Sequence, residues 1–148
     1  MQWSRHSIQS KYQSKCTYGG TAIYIKNGID CEIKTEFSNS DPEICVSTFI
    51  ELKQKSPKNL LVGCIYRHHG DPELFINKFL KPTLNAIGKT KKICALLGDF
   101  NIDLSKYETE ATSRYFYDTI SSFGYRPLIM QPTRVTSLFS NYHWQYFN

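Results

Sequence analysis

Acidic residues are missing from both ends of this chain. None precedes Asp30 and none follows Asp118. No apolar run approaches the length of a membrane span, and the polar start, residues 1–6, lacks the apolar core of a secretion signal. Low-complexity tracts and internal repeats are also absent. We therefore expect a soluble protein that stays inside the cell, nuclear or cytoplasmic and not secreted.

Cysteine usage points to a reducing compartment. The five cysteines form no C-x-x-C pair and have no histidine at metal-ligand spacing, so neither a disulfide framework nor a zinc site is indicated. Cys64 and Cys94 lie in apolar segments, where a thiol behaves as a small buried hydrophobe. With 148 residues the chain is long enough for one core, and its net charge of +5 mildly favours polyanionic partners.

Apolar periodicity predicts hairpins first and then buried strands separated by helices. The first predicted strand is 21–26, which turns at Asn27-Gly28 to pair with 29–35. A half-exposed strand follows at 46–53, with Val46, Thr48, Ile50 and Leu52 on one side. The last two predicted strands are 59–66, covered on both faces, and 93–98, which is buried. The predicted helices are one from Asp71-Pro72, with Ile76, Leu80, Leu84 and Ile87 inward and a kink at Pro82, and one over 110–123 that Gly124 ends. This order indicates a layered α/β sandwich, with functional loops where the buried strands end.

The segment Gly98-Asp99-Phe100-Asn101 is the strongest functional signal. Side chains of an extended chain alternate, so Asp99 and Asn101 are expected to face the same side. A carboxylate there can hold or activate a water or a metal ion, and a carboxamide can donate N–H groups to a phosphoryl oxygen. The structural alternative is an Asx-type turn after a strand, which these four residues alone favour.

Four segments in order resemble the endonuclease/exonuclease/phosphatase superfamily, most closely the endonuclease domain of non-LTR, LINE-type retrotransposons. They are Gly19-Gly20-Thr21-Ala22-Ile23-Tyr24-Ile25-Lys26, Gly63-Cys64-Ile65-Tyr66-Arg67, Leu96-Leu97-Gly98-Asp99-Phe100-Asn101 and Gln131-Pro132-Thr133-Arg134-Val135-Thr136. The resemblance implies an incomplete four-layer α/β sandwich of the DNase I type, with mixed, mostly antiparallel sheets flanked by helices. It also implies Mg²⁺-dependent hydrolysis of DNA phosphodiesters and a reverse transcriptase domain in the parent element.

The resemblance also assigns roles to individual residues. Asp99 matches the carboxylate that orients the attacking water, and it is the one metal ligand expected here. Asn101 matches the contact to the scissile phosphate, and Tyr66 the hydroxyl that donates to the phosphate as charge develops. Thr133 is a further expected phosphate contact. Arg67 is predicted from the residues themselves as a clamp on the phosphate backbone.

Parts of the family pattern are missing. The family has a metal-binding Glu before the Gly-Gly strand, and a Ser-Asp-His segment after Pro-Thr-Arg; here the only downstream histidine is His143, with no acidic neighbour. We expect a loop extension over 1–18, a partial domain over 19–136 and an atypical tail over 137–148, which we attribute to a shifted reading frame or splice. Because one Asp does not hold Mg²⁺ tightly, activity is expected to be impaired.

Two further functions remain open at this stage. One is a non-catalytic remnant that binds nucleic acid weakly; the other is a phosphoesterase of the same fold with another substrate. His68-His69 is interpreted as an exposed loop, Lys89 to Lys92 as a solvated connection, and Asp103 as a cap. The alternating aromatics Tyr142, Trp144 and Tyr146 favour a strand that covers a sheet edge. Oligomeric state is left open.

Overall fold

The computed structural model describes residues 3–4, 20–41, 43–53, 59–129, 134–135, 140–141 and 144–147. The strands are β1 (Trp3–Ser4), β2 (Ile25–Lys26), β3 (Cys31–Ile33), β4 (Asn39–Asp41), β5 (Cys45–Leu52), β6 (Leu60–Arg67), β7 (Ile93–Asp99), β8 (Arg126–Pro127), β9 (Arg134–Val135), β10 (Ser140–Asn141) and β11 (Trp144–Phe147). The helices are α1 (Pro72–Phe75), α2 (Lys81–Lys89) and α3 (Ala111–Ser122), with short 3₁₀ turns at Thr35–Phe37 and Leu104–Lys106.

One mixed sheet organises the described residues. Its strands lie in the order β3-β5-β6-β7-β11-β8, and β4 pairs with the same edge of β5 as β3 does. Only β6 and β7 run parallel, and the other pairs are antiparallel. A parallel pair requires a crossover, and the helical segment between β6 and β7 supplies it. The predicted mixed α/β fold, mostly antiparallel, is confirmed.

The crossover helix begins where the sequence predicts. Asp71 is its cap and accepts the N–H of Glu73 at 2.9 Å, and Pro72 occupies the first turn. Before Pro82 the helix widens into a π turn over Ile76–Leu80, the irregularity that the missing N–H of a proline favours. All four predicted inward residues are buried: Ile76, Leu80, Leu84 and Ile87.

Helices and sheet enclose one core on a single face of the sheet. Its members are Phe37, Cys45, Phe49, Leu61, Ile65, Phe75, Ile76, Phe79, Leu80, Leu84, Ile87, Cys94, Leu96, Phe100, Ile102, Leu104, Phe116, Ile120 and Tyr125. Helix α3 contributes Phe116 and Ile120, as predicted, and ends at Gly124 with φ of +84°. The N–H of Tyr125 donates to the Ile120 carbonyl and the N–H of Gly124 to that of Ser121, the paired bonds of a Schellman motif.

Two strand predictions were wrong. The turn at Asn27-Gly28 forms, with φ of +87° at Gly28, but β2 pairs with β1, and β3 pairs with β5 instead of returning along β2. The eight-residue edge of β5 offers β3 a register in which Ile33 lies beside Ile50.

In β5 the more deeply buried row is Cys45, Ser47, Phe49 and Glu51, opposite to the predicted apolar side, because Phe49 points into the helical core.

Strand β6 is covered unevenly. Its burial alternates, so that Leu61 and Ile65 are fully buried beneath the helices while Val62 and Cys64 are only half-buried on the other face. The predicted cover on both faces is therefore complete on one face only. Strand β11 pairs with the free edge of β7, which confirms that part of the tail covers a sheet edge. No helix among the described residues combines the length and apolarity needed to cross a membrane.

Candidate functional site

Tyr66 and Asp99 lie side by side at the carboxyl ends of the parallel pair. They are register partners in β6 and β7, so both side chains leave the same face of the sheet. That face is opposite the helical core, because Ile65 and Leu96 point into the core. Both residues are half-buried. The ends of the two buried strands are therefore adjacent.

Gly98 permits the close approach of the two strands at this point. It pairs with Ile65, and its φ is +135°, a region that residues with a side chain rarely adopt. A Cβ at Gly98 would also collide with the backbone carbonyl of Ile65. The glycine of the motif is therefore required by the backbone immediately before Asp99.

Asn101 joins the site through a turn and not through continued alternation. Its N–H donates to the Asp99 Oδ1 at 3.0 Å, which closes the Asx turn that was the structural alternative. Its φ is +49°, a left-handed conformation that asparagine tolerates better than most residues. The carboxamide Nδ2 then donates to the Arg67 carbonyl at 2.6 Å. The turn and the functional reading are thus compatible, and the assumed extended geometry was wrong.

Arg67 has a different environment from the one predicted. Only 4% of it is exposed, and its guanidinium lies on the core side of β6, opposite to Tyr66. Its Nε donates to the Phe100 carbonyl at 2.5 Å, its Nη2 to the Asn101 carbonyl at 2.7 Å and its Nη1 to the Gly70 carbonyl at 3.1 Å. This arrangement does not support the predicted phosphate clamp, because the donors are already directed at backbone oxygens.

Two nearby carboxylates stabilise the positive charge of Arg67. Burial lowers the pKa of the guanidinium, and the negative charges of Asp99 and Asp71 act in the opposite direction. Arginine remains protonated in proteins because its intrinsic pKa is so high. A positive charge therefore lies directly behind the Asp99 turn.

His68 was interpreted as part of an exposed loop, and only His69 fits that description. The His68 ring is half-buried and packs edge-on against Tyr66, with ring centroids 5.0 Å apart and an interplanar angle of 85°. Its Nε2 is buried and has no hydrogen-bond partner among the described residues. The signal for this contact was the two-residue spacing, which puts both side chains on one side of a strand.

Some of the remaining predicted positions fall where the structure gives no description. Thr133 and His143 lie outside the described residues, as do most of 1–18 and half of 137–148. Asp103 caps the turn at Leu104–Lys106 by accepting the N–H of Ser105 at 3.0 Å, as expected. In the part of the chain that is described, no three His, Cys, Asp or Glu side chains are grouped closely enough to hold a metal ion.

Comparison with known proteins gives a fold but no sequence match. No protein family and no curated protein matches the sequence. Among solved structures, the endonuclease domain of TRAS1, a telomere-specific non-LTR retrotransposon, superposes with a TM-score of 0.60 at 10% identity. The match covers 83% of this chain. The chain has a DNase I-like fold.

Two other solved structures match with lower scores. The human Nocturnin catalytic domain with bound sulfate anion has a TM-score of 0.46 at 16% identity, over 70% of this chain and 40% of that one. An endonuclease/exonuclease/phosphatase family protein from Bacteroides thetaiotaomicron has a TM-score of 0.35, with the same identity and coverage. The chain spans 56% of the length of the TRAS1 domain and 40% of the other two.

Proposed function

We propose that this chain is part of an endonuclease-type domain and that its Tyr66, Asp99 and Asn101 bind a phosphodiester group of DNA. The observation that carries the proposal is the register pairing of Tyr66 with Asp99, with Asn101 folded back beside them. A phenol hydroxyl and a carboxamide are neutral donors, which suit phosphoryl oxygens without repelling them. The positive net charge supports association with a polyanion.

In this proposal each side chain has a separate task. The Tyr66 hydroxyl donates to a phosphoryl oxygen, where a fixed donor gains strength as negative charge develops in the transition state. The Asn101 carboxamide donates to a second oxygen with the N–H that Arg67 does not use. The Asp99 carboxylate orients a water and accepts its proton.

Magnesium use is implied by the fold but fits these residues poorly. Mg²⁺ takes oxygen ligands in octahedral geometry and is usually bound by one or two carboxylates together with substrate phosphate and waters. Asp99 is the only carboxylate among the three side chains of the proposed site, and no cluster of three ligand residues occurs among the described residues. We therefore propose weak metal binding and low hydrolytic activity.

A nicking assay tests the endonuclease function. Supercoiled plasmid is incubated with Mg²⁺ and the chain, or with its Asp99→Ala variant, and an EDTA arm reports metal dependence. Asp118→Ala is the matched control, because it removes an exposed carboxylate from α3. We expect slow nicking that Asp99→Ala abolishes and Asp118→Ala preserves. Equal nicking by wild type and Asp99→Ala would remove Asp99 from the mechanism.

The second candidate function is nucleic-acid binding without cleavage. The lone carboxylate of the site favours it, since a metal ion held by one side chain is easily lost. Salt-sensitive DNA binding with no nicked product would establish this function.

A panel that adds phosphoinositides and sugar phosphates tests the third option, a phosphoesterase of the same fold. A reverse transcriptase frame downstream in the parent transcript would support the retrotransposon origin.

A further inference from the structure

Arg67 connects two loops that flank the site. Its Nη1 reaches the carbonyl of Gly70, in the loop that follows β6, and its Nη2 and Nε reach the carbonyls of Asn101 and Phe100, in the loop that follows β7. The planar guanidinium has a fixed fork of donors, so three bonds of this kind define the separation of the two loops. Lysine, with one ammonium on a flexible stem, does not reproduce this geometry.

The two loops contact or carry side chains of the candidate site. The loop after β6 begins with His68, whose ring packs against Tyr66. The loop after β7 contains Asn101, whose side chain returns a hydrogen bond to the Arg67 carbonyl. A change in the separation of the loops would therefore move Asn101 relative to Asp99 and alter the packing of His68 against the Tyr66 ring. A displacement of about 1 Å is enough to cost a site much of its function.

We propose that Arg67 is the positioning residue of this site, fixing Asn101 and Tyr66 beside Asp99 through the two loops without itself contacting a phosphate. This inference rests on the proposed function for the meaning of the site, but the geometry it asserts is independent of any ligand. Its side chain faces the core while Tyr66 and Asp99 face the opposite side of the sheet.

The first test measures the geometry without DNA. Arg67→Lys and Arg67→Met are compared with wild type by NMR, following the side-chain NH₂ and backbone amide signals of Asn101. Arg114→Lys is the matched control, because Arg114 also donates to a loop carbonyl, that of Glu108 at 2.7 Å, on the exposed surface of α3. We expect both Asn101 signals to shift and to exchange faster with solvent in the Arg67 variants, and to stay unchanged in Arg114→Lys.

The second test separates positioning from phosphate contact. Binding of a DNA duplex is measured in EDTA across a series of salt concentrations. Loss of a phosphate contact reduces the slope of log affinity against log salt by about 0.9, whereas loss of positioning leaves that slope unchanged. We expect Arg67→Met, which removes the positive charge, to weaken binding about tenfold, equivalent to one hydrogen bond, at an unchanged slope.

Three outcomes overturn the inference. Unchanged Asn101 signals in the Arg67 variants would show that Arg67 does not position that residue. A slope reduced by about one in Arg67→Met would make Arg67 a phosphate contact. Unfolding of both variants would make it a residue of general stability. If wild type binds no DNA, the proposed function fails, while the NMR comparison still decides the positioning role.

Discussion

Arg67 and Asn101 each bind the backbone of the other. The Arg67 Nη2 donates to the Asn101 carbonyl at 2.7 Å, and the Asn101 Nδ2 donates to the Arg67 carbonyl at 2.6 Å. The two residues are 34 positions apart in the sequence, so this reciprocal pair joins the ends of β6 and β7 after the strands have separated. The hydrogen bonds that fix Asn101 at the candidate site are therefore the ones that connect the two segments where the parallel pair ends.

Replacing Asn101 separates its backbone role from its side-chain role. Asn101→Gly removes the carboxamide but keeps the left-handed φ of +49° accessible. Asn101→Ala removes the carboxamide and also makes that φ unfavourable. We expect Asn101→Ala to be less stable than Asn101→Gly by about 1 kcal/mol, the approximate cost of a left-handed conformation for a residue with a Cβ. Urea unfolding of the three proteins measures this difference.

Asn101→Gly and Asn101→Ala should have similar effects on DNA binding, unlike their effects on stability. Both variants lack the donor that we assign to the phosphate, so both should lose affinity to a similar extent in spite of their unequal stability. An Asn101→Gly variant that binds DNA like wild type would exclude the carboxamide as a phosphate contact. Ser105→Gly, at an exposed position in the turn beyond the site, is the control. Asn85→Gly is not suitable, because Asn85 lies in α2 and glycine weakens a helix.

Gly98 should be intolerant of any side chain. A Cβ there meets the Ile65 carbonyl, and φ of +135° is strained for other residues. We expect Gly98→Ala to lower the free energy of unfolding by about 3 kcal/mol or more, since backbone must move within a parallel strand pair. Chemical denaturation followed by circular dichroism gives the value.

Gly88 provides the matched control for that substitution. It lies in α2, and an added Cβ would meet no heavy atom within 4 Å apart from its chain neighbours and the backbone of its own helix. Gly88→Ala should therefore stabilise the protein by about 0.5–1 kcal/mol, because alanine is the better helix former. If Gly98→Ala lowered the free energy of unfolding no more than Gly88→Ala does, the two strands would not approach each other as closely as the structure indicates.

Local signals were sufficient to predict the helices and the two central strands. Asp71 and Pro72 begin a helix through contacts within one turn, and the stripe of Ile76, Leu80 and Leu84 follows from helix periodicity alone. Gly124 ends α3 by the same local logic. The Asx turn at Asp99 was also recognisable, because asparagine and aspartate form such turns with their nearest neighbours.

Contacts between distant parts of the chain could not be predicted in this way. Arg67 was interpreted as a clamp on the phosphate backbone because its partners, Phe100 and Asn101, lie more than thirty residues away. A lysine-rich turn was likewise interpreted as solvated, although Lys92 binds the buried Glu51. A charged residue in a strand gives no sign of burial until its partners are known, since burial of a charge depends on pairing.

Glu51 should make stability depend on acid. It is 3% exposed and lies at the opposite end of the sheet from the candidate site, where Lys92 at 2.7 Å, Asn59 at 2.7 Å and Lys34 at 3.0 Å surround its carboxylate. Hydrogen bonds from Lys92 and then from Asn59 are the main causes that lower its pKa from 4.5 to about 2, against the effect of burial. Its charged form is thus favoured in the folded state.

The sign of the pH effect follows from that lowered pKa. The stabilising contribution of Glu51 is complete above its unfolded pKa near 4.5 and is lost as the pH falls toward about 2. Glu51→Gln should lower the free energy of unfolding at pH 7 by about 1–3 kcal/mol and flatten its decline between those two pH values. Urea unfolding at a series of pH values measures both effects.

Glu32→Gln is the control for this prediction. Glu32 also pairs with Lys34, at 3.1 Å, but half of its side chain is exposed, so solvent screens the interaction. Its substitution should change stability less than Glu51→Gln and should leave the acid decline of the wild type in place. If Glu51→Gln retains the full decline between pH 4.5 and 2, then carboxylates other than Glu51 cause the acid sensitivity.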